Sequence, residues 1–114
     1  MIPATHNLPD VYRGDTMKEI RFELLKNGVP IDLTGASVRC DFKLKTGSHL
    51  FRFSKANDKI SIMDPPTEGK FAINSTIIDF PAGTYNYDIE VIFADGTINT
   101  FVAGTLKVIQ DVTS

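Results

Sequence analysis

The chain has 114 residues, 42% of them apolar and 23% charged, with a net charge of −2. That is the length of one domain and the composition of an ordinary globular protein, neither disordered nor collagen-like. The slightly acidic balance speaks against a nucleic-acid binder, no apolar run approaches the roughly 18 residues of a membrane helix, and a single cysteine leaves no intrachain disulfide. The start, Met1-Ile2-Pro3-Ala4-Thr5-His6, shows no basic and apolar leader, so no signal peptide is expected.

Residues 1–16 have no periodicity and are punctuated by Pro3, Asn7, Pro9, Asp10 and Gly14. They read as an extended N-terminal arm, apart from a domain at 17–114. Such an arm is either a loose terminus or a segment that orders against a neighbouring subunit, in which case deleting residues 2–12 would leave the melting temperature nearly unchanged. From Ile20 onward the pattern has period two. Ile20, Phe22 and Leu24 alternate with charged residues, and Asn27-Gly28 then signals a tight turn. Thr34-Gly35 marks another turn before Val38, Cys40, Phe42 and Leu44. Phe51 and Phe53 flank Arg52, Ile60 and Ile62 flank Ser61, and Phe71 and Ile73 flank Ala72. Asp64-Pro65-Pro66-Thr67-Glu68-Gly69 is a loop, because proline cannot donate to a strand ladder. A short 3₁₀ turn is expected in 75–80. The longest alternation runs through Tyr85, Tyr87, Ile89, Val91 and Phe93; Asp95-Gly96 predicts a type I′ hairpin, and Leu106 and Val108 follow. About seven strands with no helical stripe predict an all-β fold, an antiparallel immunoglobulin-like β-sandwich; a small barrel is the alternative.

No constellation for catalysis emerges, and the chain is not expected to be an enzyme. His6 and His49 are far apart and have no cysteine or histidine at ligand spacing, so no metal or cofactor is expected. Cys40 takes an inward strand position, where it reads as a small buried apolar residue. The position expected opposite it on the sixth strand is Tyr87. Gly83-Thr84-Tyr85-Asn86-Tyr87 fits a tyrosine corner, in which Tyr85 bonds back to upstream backbone. Tyr85, Tyr87, Cys40, Asp95 and Gly96 are therefore assigned structural roles. Arg13-Gly14-Asp15 is too short to argue adhesion, and Asn74-Ser75-Thr76 is a glycosylation sequon that a chain without a leader does not use. Asp88 and Glu90 share a strand face that alternation turns to solvent.

Charge is unevenly distributed. Residues 39–59 hold 6 basic and 2 acidic residues, whereas residues 60–114 hold 2 and 7. A positive edge that meets a negative edge on a neighbour is one reading; a solvated face is the plainer one. Tyr12, Arg13, Lys43, Lys45, Arg52 and Lys55 are the candidate partner-binding residues. Tyr12 and Phe101 are the aromatic candidates if the chain instead binds carbohydrate or a cell surface.

Tyr12-Arg13-Gly14-Asp15-Thr16, Asn27-Gly28-Val29-Pro30-Ile31-Asp32-Leu33-Thr34-Gly35-Ala36, Pro81-Ala82-Gly83-Thr84-Tyr85-Asn86-Tyr87-Asp88-Ile89, Phe93-Ala94-Asp95-Gly96-Thr97 and Gly104-Thr105-Leu106 resemble an immunoglobulin-like domain of tailed phages and prophages. It is similar to the N-terminal domain of phage baseplate upper proteins. The resemblance runs from about Tyr12 to Thr113. It implies a virion structural or accessory protein, assembled in the bacterial host cytoplasm. Its partners would be other phage structural proteins, with the chain a homo-oligomer or present in many copies. No nucleic acid and no membrane enter that picture. In that family the domain begins a longer chain; here no receptor-binding domain is expected after Ser114, and the expected role is that of an accessory or adaptor at head, neck, tail or baseplate.

Overall fold

A computed structural model describes residues 4–45 and 50–110. In chain order the strands are β1 (Ala4–Thr5), β2 (Val11–Tyr12), β3 (Thr16–Met17), β4 (Ile20–Glu23), β5 (Leu25–Lys26), β6 (Val29–Pro30) and β7 (Ser37–Leu44). They continue with β8 (Leu50–Ser54), β9 (Ile60–Ile62), β10 (Lys70–Ile73), β11 (Thr76–Ile77), β12 (Gly83–Ile92) and β13 (Ile98–Ile109). No α-helix occurs among the described residues; one 3₁₀ turn spans Pro66–Glu68.

Two sheets face each other. The larger has the order β1/β2–β13–β12–β7–β8, and the smaller is β4–β10–β9. This is the strand arrangement of an immunoglobulin-like sandwich. Its axis is β12, which pairs antiparallel with β13 on one side and β7 on the other. Tyr85, Tyr87, Ile89 and Val91 turn inward, where they meet Val38, Cys40 and Phe42 of β7 and Leu106 and Val108 of β13. The smaller sheet supplies Ile60, Phe71 and Ile73 from the opposite side. One end of the core is aromatic. Phe80 stacks on Phe51 at 4.1 Å and lies 5.4 Å from both Phe42 and Tyr85. At the other end Phe22 stacks on Phe71 at 5.1 Å.

The N-terminal segment is no separate arm. β1 and β2 run parallel to β13 along its outer side, with Ala4 opposite Val102 and Tyr12 opposite Ile109. Between them the His6 and Leu8 amides donate to the Ala103 and Thr105 carbonyls, each at 2.9 Å. Leu8 and Val11 are buried in the core, each contributing roughly 1.5–3 kcal/mol. The expectation of an arm free to dock on a neighbour, with the domain starting at 17, is thus corrected. The polar residues and prolines that hid the periodicity are those of an outermost strand, which bonds along one side only.

Two further expectations change. The two-residue turn with positive φ at both central residues is Asn27-Gly28, at 53° and 78°, closing β5 onto β6. At the second hairpin Gly96 alone is positive, at 91°, and the Gly96 amide donates to Phe93 O. That is a three-residue loop of Ala94, Asp95 and Gly96, not the type I′ turn. The 3₁₀ turn sits at Pro66–Glu68, while the 75–80 region contributes β11, paired with β3.

Gly104 decides where the N-terminal strand lies. It is opposite Tyr87 on β12, and a Cβ on it would collide with the His6 carbonyl oxygen. The Tyr87 hydroxyl donates to that same oxygen. Gly104→Ala is therefore expected to lift residues 4–8 off β13 and cost about 1–3 kcal/mol, as overpacking does. Denaturant unfolding with hydrogen exchange at the His6 and Leu8 amides measures it; unchanged protection would show that the strand tolerates a methyl there.

Candidate interaction face

The inward set on β7, β8 and β12 leaves the opposite set on the outer face of the larger sheet, since successive side chains alternate. There Arg39 is opposite Glu90, Asp41 is opposite Asp88 on one side and Arg52 on the other, and Lys43 is opposite Asn86 and Leu50. Two ion pairs result. Arg52 holds Asp41 with two bonds, Nε–Oδ1 at 2.7 Å and Nη2–Oδ2 at 3.0 Å. Arg39 Nη2 reaches Glu90 Oε2 at 2.9 Å. Carboxylate oxygens of Asp41, Asp88 and Glu90 come within 4.8 Å of one another. This is the spacing of a cation site, but two of the three acids already have a guanidinium as countercharge. Asp88 is left between them. Burial, then the like charges of Glu90 and Asp41, raise its pKa, and Arg39 only partly offsets this. Asp88 and Glu90 therefore face outward as expected but are half-buried, with Arg39 held against Glu90.

The candidate partner-binding residues fall on two separated parts of this sheet. Tyr12 and Arg13 belong to its outermost N-terminal strand, and Arg13 Nε is 3.2 Å from Asp79 Oδ1. Lys43, Lys45, Arg52 and Lys55 lie on or beside β7 and β8, at the far side. Two strands intervene before β7 and three before β8, roughly 15–20 Å at the usual strand spacing, so the six residues do not form one site. Arg52 is spent on Asp41. Among the described residues no carboxylate pairs with Lys43, Lys45 or Lys55. Lys43 also lines a shallow groove with Leu50, Asn86, Asp88 and Ala103, and Leu50 is 57% exposed. The net charge of +4 read along residues 39–59 is thus reduced in space, because acids from β12 stand beside the arginines of β7 and β8.

Tyr12 and Phe101 do not make an aromatic platform. Tyr12 is half-exposed at one end of the sheet, while Phe101 is the extra residue of a β-bulge on β13 and packs edge-on against Phe93 at 6.2 Å. His49 lies outside the described residues.

Among the residues given structural roles, Tyr85 Oη donates to Pro81 O at 2.7 Å. Asp95 Oδ1 accepts the Thr97 amide, a bond that holds its carboxyl below the usual range. Cys40 is fully buried, and burial followed by the Asp88 and Asp41 charges pushes its thiol far up, away from thiolate chemistry. It is not opposite Tyr87 across the sandwich. The two lie on neighbouring strands of one sheet, where Cys40 is in register with Ile89 and Tyr87 with Phe42. Tyr87 does more than pack, since its hydroxyl fastens the N-terminal strand.

Sequence reasoning missed the structural roles of two asparagines. Asn57 bonds to the backbone of β8, with Nδ2 to Arg52 O at 2.8 Å and Oδ1 from the Ser54 amide at 3.0 Å. Asn74 Nδ2 donates to Asp58 O and Ser61 Oγ, both at 2.9 Å, which engages the sequon amide. Neither position has a local signal beyond an asparagine near a turn.

No protein-family model matches this chain, and no curated protein matches it. A crystal structure of CopC from Methylosinus trichosporium OB3b is similar over 92% of this chain and 88% of that one, at 11% identity and a TM-score of 0.48. At that level the likeness carries no argument about function.

Two predictions concern titration. Burial, and secondarily the Cys40 thiol, push the Tyr87 phenol up to about 12 from an ordinary 10.0. The unfolded chain then loses its proton first, so this contribution to stability is complete below pH ~10 and is lost between about 10 and 12. Tyr87→Phe should cost about 1 kcal/mol at neutral pH and flatten the fall over that interval; identical slopes would place the loss on other groups. Asp88 has the same sign at acid pH. Its raised pKa means that ionisation costs stability, which is full below the ordinary aspartate range and declines as pH rises through it. Asp88→Asn is expected to raise Tm at neutral pH with a gain that vanishes in acid, and a lower Tm at neutral pH would mean the carboxylate is needed.

Proposed function

We propose that this chain is an immunoglobulin-like adaptor of a phage particle that docks onto other virion proteins through side chains of its larger sheet. The observation that carries this reading is the patch at the start of β8. Lys43 and Lys45 have no acidic partner among the described residues and flank the exposed Leu50, whereas the arginines further along the face are neutralised within the molecule. Uncommitted cations around one apolar side chain suit an acidic partner surface with an apolar contact at its centre. The resemblance of the turn motifs to phage domains supplies the particle. Weak contacts of this kind become strong when many copies engage at once.

Mass spectrometry of gradient-purified particles from the encoding phage or prophage is expected to find the protein at a fixed ratio to tail, neck or capsid proteins. Lys43→Glu with Lys45→Glu should leave the fold intact and reduce incorporation about tenfold, and wild-type attachment should weaken as salt shortens the screening length. Absence from purified particles would overturn the proposal; incorporation of the double variant at the wild-type ratio would move docking to another surface.

A further inference from the structure

The β5–β6 hairpin stands out from one end of the smaller sheet. β4 ends at Glu23, and one residue later the chain changes partner from β10 to β6. The base of the hairpin is held firmly. The Leu24 amide donates to Gly69 O at 2.8 Å, and the Ile31 and Leu33 amides donate to Leu24 O and Pro66 O, each at 2.9 Å. Leu24 and Leu33 are buried. Gly69 fits closely there, since a Cβ on it would fall 2.6 Å from Leu24 O and 2.8 Å from Ile31 O. Beyond this base every residue from Leu25 to Pro30 is exposed, and a Cβ on Gly28 would meet nothing within 4 Å. The projecting finger is nevertheless apolar in part. Leu25 is 50% and Val29 63% exposed, with Pro30 opposite Leu25. Among the described residues two of the six large exposed apolar side chains fall on this one turn, whereas scattered single ones are the ordinary case.

At the other end of β4 lies a groove of about 410 Å³, between the N-terminal strand and the segment that leads into β4. Pro9, Val11, Met17 and Ile20 give it an apolar lining, and Val11 and Met17 belong to the core. Asp10, Lys18 and Glu19 are its charged residues. Glu19 is held by Arg21. Among the described residues Asp10 and Lys18 have no ion-pair partner, and neither have Lys26 at the tip of the finger and Asp32 beside its base. We infer that the finger of one copy of this chain docks in the groove of the next. Aliphatic side chains then meet an aliphatic lining, Lys26 comes to Asp10, and Asp32 comes to Lys18, so each unpaired charge finds its opposite on the other copy. The two parts cannot meet within one molecule. The chain from Ile20 to Asn27 runs extended through β4 and β5, which sets them roughly 20 Å apart at the usual rise. Because the two surfaces are unlike, every contact leaves one finger and one groove free, and association continues from copy to copy instead of stopping at a pair. The inference rests on the finger and the groove, not on the proposed virion role, and uses none of Lys43, Lys45 and Leu50.

The test is sedimentation of the purified full-length chain over a wide concentration range, which involves no particle and so fails separately from the virion reading. The average mass of the wild type is expected to rise with concentration past that of a dimer. Leu25→Asp with Val29→Asp disables the finger, and Asp10→Lys disables the groove. Each should weaken self-association by about tenfold or more, with the circular dichroism of the wild type retained. Mixed together, the two variants should form a one-to-one heterodimer and nothing larger, because one supplies the intact finger and the other the intact groove. Lys26→Glu should weaken association alone and regain it when combined with Asp10→Lys in the same chain. A wild type that stays monomeric at millimolar concentration, or that stops at a dimer, would overturn the inference. A folded finger variant that associates as the wild type does, or a mixture without heterodimer, would overturn it equally. If Asp10→Lys does not fold, wild-type association by the finger variant and by Lys26→Glu does the same.

Discussion

The register of β12 is the constraint on which the rest of the structure depends. This strand is hydrogen-bonded along both sides and buried on one face only. A slip of one residue would send Tyr85, Tyr87, Ile89 and Val91 to water and bring Asn86, Asp88 and Glu90 into the core. Burying even one of those carboxylates without a partner costs more than most single contacts contribute. With the register set, the position of each neighbour follows. Tyr87 is placed opposite Gly104 and Phe42, Asp88 opposite Asp41, and Glu90 opposite Arg39. The inward half of this pattern makes the core, and the outward half makes the charged face. Both come from one alternation.

The parts of the fold legible in the sequence are those where one-sided burial shapes the composition over many residues. β7, β12 and the later part of β13 show period two because each has one dry face and one wet one. The N-terminal strand was not legible as part of the sheet. It bonds along only one side, its buried side chains among the described residues are those of Leu8 and Val11, and it passes over β13 at a glycine whose neighbour lies almost a hundred residues away in sequence. Nothing within 1–16 records Gly104 or the Tyr87 hydroxyl. The relation of Cys40 to Tyr87 failed for a similar reason. Alternation says that a side chain is inward, but not which sheet its strand belongs to. The turns show how local chemistry misleads. Asn27-Gly28 and Asp95-Gly96 carry comparable signals, yet only the first places both residues at positive φ. The loop from Phe93 to Thr97 has one more residue to accommodate, so its aspartate serves as a side-chain acceptor for the Thr97 amide instead.

The charged face was half legible. Counting along residues 39–59 finds an excess of six basic over two acidic residues, but that count crosses two strands and ignores the third. β12 lies beside β7 and contributes Asp88 and Glu90 to the same surface. The arginines are absorbed by Glu90 and Asp41, and Lys43 and Lys45 at the end of β7 have no carboxylate partner among the described residues. Arginine presents a planar fork that matches a carboxylate, whereas lysine is a mobile point charge. The division of this face into a paired stretch and a free patch follows from where each kind of cation stands.

Edges and faces of a sheet offer two different kinds of contact. An edge offers backbone hydrogen bonds that any extended chain can satisfy, so an open edge binds indiscriminately. A face offers side chains, whose charge and shape select a partner. In this molecule the two kinds are treated differently. On one side the larger sheet ends in its own N-terminal strand, interrupted by Pro9. On the other, the Arg52 carbonyl and Ser54 amide are engaged by Asn57. Among the described residues Lys43 and Lys45 have no acidic partner and Leu50 is exposed beside them, on a surface where Arg39 and Arg52 are paired within the molecule. Such a surface can be selective because its contacts depend on side chains and not on backbone hydrogen bonds. On the adaptor role proposed above, contact through that patch would be set by a partner's acids and apolar groups and not by backbone pairing, which is the kind of contact that discriminates between partners.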